Sequence, residues 1–82
     1  MRSLKHLSQQ LEALESISLD NPDQLFAISY LRGHTDLLLA RDESAQEDHL
    51  RDALAHGFQT DSMSEQDKTL ILDLLGSSLL NN

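Results

Sequence analysis

The chain contains no valine, and its three isoleucines and three threonines stand against eighteen leucines. β-Branched and aromatic side chains cover the pleated faces of a sheet, and one tyrosine, two phenylalanines and no tryptophan are too few to add much to that supply. Leucine, by contrast, loses little rotamer freedom in a helix. The sequence therefore reads as all-α, and the spacing of its leucines decides the rest.

Leu4, Leu7, Leu11 and Leu14 alternate spacings of three and four, and Ile17 extends the stripe; Lys5, Gln9, Gln10, Glu12 and Glu15 occupy the other faces. Asp20-Asn21-Pro22 ends this segment and starts the next, with an Asx cap ahead of the only proline at the first helical position. The second segment is apolar on two sides. Phe26, Tyr30, Gly33, Leu37 and Ala40 form one stripe, and Ile28, Leu31, Thr35 and Leu38 form another roughly opposite. Narrow polar strips run between them, one with Ser29, Arg32 and Asp36, the other with Asp23, His34 and Arg41. Such a helix is either central in its bundle or shared with a partner chain. Ser44 with Glu47 has the form of a capping box for a third helix, whose stripe is Leu50, Ala53, Leu54 and Gly57, closed by Phe58. Gly57 has an alternative place as the left-handed residue of the C-cap. Ser64 with Asp67 caps a fourth helix bearing Leu70, Ile71, Leu74, Leu75 and Leu79. The expectation is one domain over residues 1–82, a compact antiparallel four-helix bundle with helices at about 2–18, 22–42, 45–58 and 65–80.

Fourteen acidic residues against six lysines and arginines give a net charge of −8. This balance repels nucleic-acid phosphate and anionic lipid headgroups, so neither is an expected partner. Asp20, Glu43, Glu47 and Asp67 lie where helix starts favour negative charge, and solubility accounts for the rest. The alternative, an acidic decoy for a basic partner, rests on net charge alone. Met1-Arg2-Ser3-Leu4-Lys5 resembles the basic start of a signal peptide, but no apolar region follows it. The Leu37–Ala40 run is far short of the ~20 residues of a membrane span, and a cytoplasmic protein is expected. The absence of cysteine excludes disulfides, cysteine zinc sites and thiol chemistry.

His49, Asp52 and His56 stand at i, i+3 and i+7 and project from one side of the third helix. A metal-binding protein or small enzyme would draw on this set, or on His34, but zinc needs a fourth ligand and ordered outer partners. The leucine stripe places the histidine side on a solvated flank, so neither a metal nor a cofactor is expected. No Gly-x-Ser-x-Gly turn, Glu-x-x-His pair or glycine-rich phosphate loop occurs, which points away from an enzyme.

The segment Tyr30-Leu31-Arg32-Gly33-His34 holds the candidate partner-binding residues. Glycine inside a helix costs about 1 kcal/mol relative to alanine, so Gly33 is expected to admit the close approach of another backbone, with Gly33→Leu destabilising. The only partner of Arg32 visible in its own helix is Asp36 at i+4, a pair worth ~0.3–0.5 kcal/mol when solvated. That weak return makes Arg32, with Tyr30 and His34, the candidate grip on an unidentified protein partner. A homodimer is a further expectation, because the second helix's two stripes and the first helix's heptad offer more apolar face than three thin partners cover.

The stretch Leu25-Phe26-Ala27-Ile28-Ser29-Tyr30-Leu31-Arg32-Gly33-His34, preceded by the acidic turn Asp20–Asp23, resembles the signature of the YfcL family, small single-domain proteins of gamma-proteobacteria. Met63-Ser64-Glu65-Gln66-Asp67 through Leu70-Ile71 is similar to the family's C-terminal helix start. Glu65 stands where proline is common in the family and Leu75 where tryptophan is, and both positions tolerate the change. The resemblance covers about residues 20–80. It implies a bacterial, cytoplasmic helical protein and brings no catalytic residues with it.

Overall fold

Short polar side chains start three of the four helices in the computed structural model, which describes residues 3–77. Ser3 Oγ accepts from His6 N (3.1 Å) at the head of α1 (Leu4–Ser16), and Asn21 Oδ1 accepts from Gln24 N (3.2 Å) at the head of α2 (Pro22–Arg41). Ser64 Oγ accepts from Asp67 N (3.2 Å) at the head of α4 (Glu65–Leu75). Each satisfies a backbone donor that the first turn leaves unpaired. The fourth, α3 (Glu47–Thr60), starts differently: Gln46 is its N-cap, and the Gln46 N–H donates to His49 Nδ1 (3.0 Å). The Ser44–Glu47 capping box expected from the sequence does not form. Ser44 instead donates through N (2.9 Å) and Oγ (2.7 Å) to Asp42 Oδ1, which holds the Asp42 carboxyl below its usual range. Burial of Ala45 and the bridge between Ser3 and Gln46 fix the chain there, so α3 begins two residues later than expected.

The α1 heptad buries as its spacing predicts: Leu4, Leu7, Leu11 and Leu14 all face the core. Ile17 does not extend it. The helix ends at Ser16, and Ile17, at the C-cap, swings out to 80 % exposure. The next residue turns in: Ser18 is buried, donating to Leu14 O (2.7 Å) and accepting from Gln24 Nε2 (2.7 Å), which ties the end of α1 to the start of α2. At the far end of α3, Met63 N donates to Phe58 O (3.0 Å) and Ser62 N to Gln59 O (3.3 Å), with Ser62 in the left-handed region at φ 50°. This is a Schellman closure, and Ser62, not Gly57, supplies its left-handed residue. Gly57 lies inside α3, which runs on to Thr60. The helix α4 ends at Leu75, and the expected core position Leu79 lies outside the described residues.

α2 is the hub, packed against α1, α3 and α4. Its inner stripe of Ala27, Ile28, Leu31 and Thr35 is buried among Leu7, Leu11, Leu50, Leu54, Ile71 and Leu75 in one continuous core. The Cα radius of gyration, 11.9 Å, matches the ~12 Å of a compact domain this size. The result is a single all-α domain of four helices, with no strand among the described residues. Thr35 is fully buried at the centre, and its Oγ1 has no hydrogen-bond partner among the described residues. Thr35→Val, which removes that hydroxyl at nearly constant shape, is expected to stabilise the fold by about 1 kcal/mol. Denaturant titration checks this, and a loss of stability would reveal a bond to Oγ1 in solution.

Candidate functional site

The sequence places Tyr30, Arg32 and His34 on one helix, and the fold divides them between two sides of it. Arg32 turns toward α1. Its Nη1 lies 3.2 Å from Glu15 Oε1, its Nη2 4.0 Å from Glu12 Oε2 and its Nε 3.8 Å from Asp36 Oδ2, while Ser8 Oγ donates to Asp36 Oδ1 (2.7 Å). The i+4 pair visible in the sequence is thus the smaller part of its structural engagement, because Glu12 and Glu15 arrive from another helix. Arg32→Ala leaves three carboxylates facing one another and is expected to cost about 1–2 kcal/mol, the sum of several modest partly solvated pairs. Thermal melting at neutral pH checks it; an unchanged midpoint would show that this latch contributes nothing.

Tyr30 and His34 turn toward α3. Their ring centroids are 4.7 Å apart, and the Tyr30 ring also stacks on Phe58 (5.9 Å, 27°) and lies 6.3 Å from Phe26. Tyr30 Oη donates to Asp61 Oδ2 (3.0 Å). Burial of the phenol, then this hydrogen bond, then the Asp61 charge push the Tyr30 pKa up to about 12. At neutral pH Tyr30 is therefore a fixed donor and not a base or nucleophile.

The helices can approach here because α3 presents Gly57. A Cβ at that position would lie 2.7 Å from Tyr30 Oη and 3.0 Å from His34 Cε1. The close approach expected at Gly33 is found at Gly57. Gly33 is exposed, and a Cβ there would meet nothing within 4 Å, so the expected overpacking by Gly33→Leu has no basis. Which glycine meets a neighbour depends on which of the two α2 stripes turns inward, and the Ile28/Leu31/Thr35 stripe does. Gly57, Phe58 and Asp61 complete the Tyr30 site, and sequence reasoning did not connect them with it. Their only signal is the glycine inside α3, on that helix's core stripe.

Beside this contact an open groove of about 580 Å³ runs between α2 and α3, lined by His34, Leu37 and Arg41 on one side and by Asp52, His56 and Asp61 on the other. His49 is not part of it, since its Nδ1 is used in capping α3. The three residues read from the sequence as a possible ligand set are thus divided, and no group of three or more metal-ligating side chains gathers among the described residues. The outward stripe of α2 borders the groove at Leu37 and runs on from it: Phe26 is 40 % and Leu37 51 % exposed, with Ser29, Gly33 and Ala40 open between and beyond them. A shallow depression of about 340 Å³ sits over Gly33, between Ser29 and Leu37. No helix among the described residues is long and apolar enough to cross a membrane.

A hub helix with one apolar side buried and the other turned to solvent, in a domain of four helices, defines a small all-helical single-domain protein. Residues 4–79 match the model of the YfcL protein family, and the chain belongs to that family. No curated protein and no solved structure matches it.

Proposed function

We propose that this chain is a non-catalytic cytoplasmic accessory module that works by docking the outer face of α2 onto another polypeptide. The observation that carries the reading is the unspent apolar side of the hub helix. Phe26 and Leu37 stand exposed on one line, with the half-buried Tyr30 and His34 along its edge. Scattered exposed apolar residues need no explanation, but two large ones aligned with exposed Gly33 and Ala40 on one face of a rigid helix support a contact surface. Rigidity comes from the inner stripe and from the Tyr30–Asp61 bond, so little ordering cost remains to be met on binding. The net charge of −8 favours a polypeptide over nucleic acid or an anionic bilayer. Site-specific photo-crosslinking in cells tests this. A photoreactive side chain at Leu37 is expected to give a discrete adduct, and one at Gln9, exposed on α1, is not. No adduct from Leu37, or equal adducts from Gln9, would contradict the reading.

A further inference from the structure

The outer face of α2 is self-complementary, and the geometry points to a second copy of this chain as its occupant, with the two α2 helices antiparallel and crossing at Gly33. This deepens the docking reading by naming the partner. Along the face the side chains run large, small, small, large, small: Phe26, Ser29, Gly33, Leu37, Ala40, all exposed. A two-fold axis at Gly33 pairs position 33+k with position 33−k of the other copy. Leu37 then meets Ser29 of the second copy, Phe26 meets its Ala40, and Gly33 meets its Gly33, where open space lets the helices close together. Every large side chain opposes a small one. A parallel pair would set Phe26 on Phe26 and Leu37 on Leu37 and leave the middle empty.

Charge selects the same arrangement. Asp23 and Arg41 are eighteen residues apart, about five helical turns, so they lie on one edge of the face. Neither has an ion-pair partner among the described residues. A two-fold axis perpendicular to the helices keeps that edge on one side of the seam. It brings Arg41 of each copy within about 3 Å, measured along the axis, of Asp23 of the other. A parallel pair would carry this edge of the two copies to opposite sides of the seam, and Asp23 and Arg41 would not meet. The seam from Phe26 to Ala40 is about 21 Å long, and one helix face of that length covers less than the ~800 Å² per partner of a standard interface. The dimer is accordingly weak and is populated only at high concentration. Since each chain carries −8, association needs enough salt to screen the long-range repulsion, about 0.15 M.

Sedimentation in that salt, from about 10 μM to about 1 mM, should show a growing dimer fraction. Gly33→Arg should weaken it at least about tenfold without lowering the melting midpoint of the dilute monomer, since Gly33 is exposed and a Cβ there meets nothing within 4 Å. Asp23→Arg should weaken it about threefold to tenfold, and adding Arg41→Asp in the same chain should restore it. Because the chain has no cysteine, Gly33→Cys offers a direct probe: oxidation should cross-link it across the two-fold axis, and Ala55→Cys on the exposed side of α3 should stay monomeric. A wild-type chain that stays monomeric at about 1 mM overturns the proposal. So does a dimer that Gly33→Arg leaves intact. If a Leu37 cross-linker then captures a different polypeptide in cells, only the identity of the partner is lost; if it captures nothing, the docking reading fails as well.

Discussion

Replacing Gly57 by leucine is expected to lower stability by about 1–3 kcal/mol, the range for overpacking a closed contact. The same replacement at Gly33 is expected to leave stability unchanged or to raise it by up to about 1 kcal/mol, through helix propensity alone. Both glycines sit inside helices on apolar stripes, so the sequence offers no reason to separate them. Their surroundings do. At Gly57 even a methyl group would come within 2.7 Å of Tyr30 Oη and 3.0 Å of the His34 ring. The two rings can swing aside only by giving up the bond to Asp61 and the stack on Phe58. At Gly33 there is open space. For a domain this small each kcal/mol moves the melting midpoint by about 4–8 °C, so thermal melts of dilute protein separate the two variants. The reverse order would mean that α2 turns its other stripe inward.

The Tyr30 phenol should titrate near pH 12 in the folded chain and near 10 once the chain is unfolded in urea. With one tyrosine and no tryptophan, phenolate absorbance reports on this group alone. The folded pKa is the higher of the two, so the native state holds the proton more tightly. The associated stability is fully present below pH 10 and is lost as the pH rises from 10 through about 12. Tyr30→Phe should remove that part of the alkaline sensitivity. Asp61→Asn should move the titration only part of the way back, because burial of the phenol is the largest cause and the Asp61 hydrogen bond and charge come after it. A folded-state midpoint near 10 would place the ring in solvent and open the α2–α3 contact.

What the sequence discloses about this fold is whatever one segment can encode by itself. The Leu4–Leu14 spacing of α1, the Asn21-Pro22 start of α2 and the Ser64 cap need no partner to be recognised and stand as read, whereas the extension of the stripe to Ile17 fails where the helix ends at Ser16. What needed a neighbour was not legible. The sequence offers Ser44 as the start of α3, and Ala45 burial with the Ser3–Gln46 bridge moves that start two residues on, to Gln46. The two stripes of α2 carry similar apolar content and cancel as an orientation signal, so the inward one is decided by what α1, α3 and α4 present. Arg32 shows the same limit: its i+4 partner is visible in the helix, whereas Glu12 and Glu15 exist for it only after α1 folds back. The candidate contact between α2 and α3 was visible in the sequence from one side only. Tyr30 and His34 were found by their segment, and Asp61 and Gly57 became its partners only through packing.

The account's central claim is that α2 spends one apolar face on its own fold and offers the other for contact. Amide-resolved NMR of isotope-labelled chain, recorded dilute and then both at high concentration and after addition of unlabelled host-cell extract, tests it most directly. The account predicts that signal losses and shifts concentrate on Phe26, Ser29, Gly33, Leu37 and Ala40, fade toward the Arg32 side of α2, and vanish in the Leu37→Asp variant while its dilute-state spectrum stays folded. Perturbations spread evenly over the surface, or centred on the outer faces of α1 or α4, would contradict it.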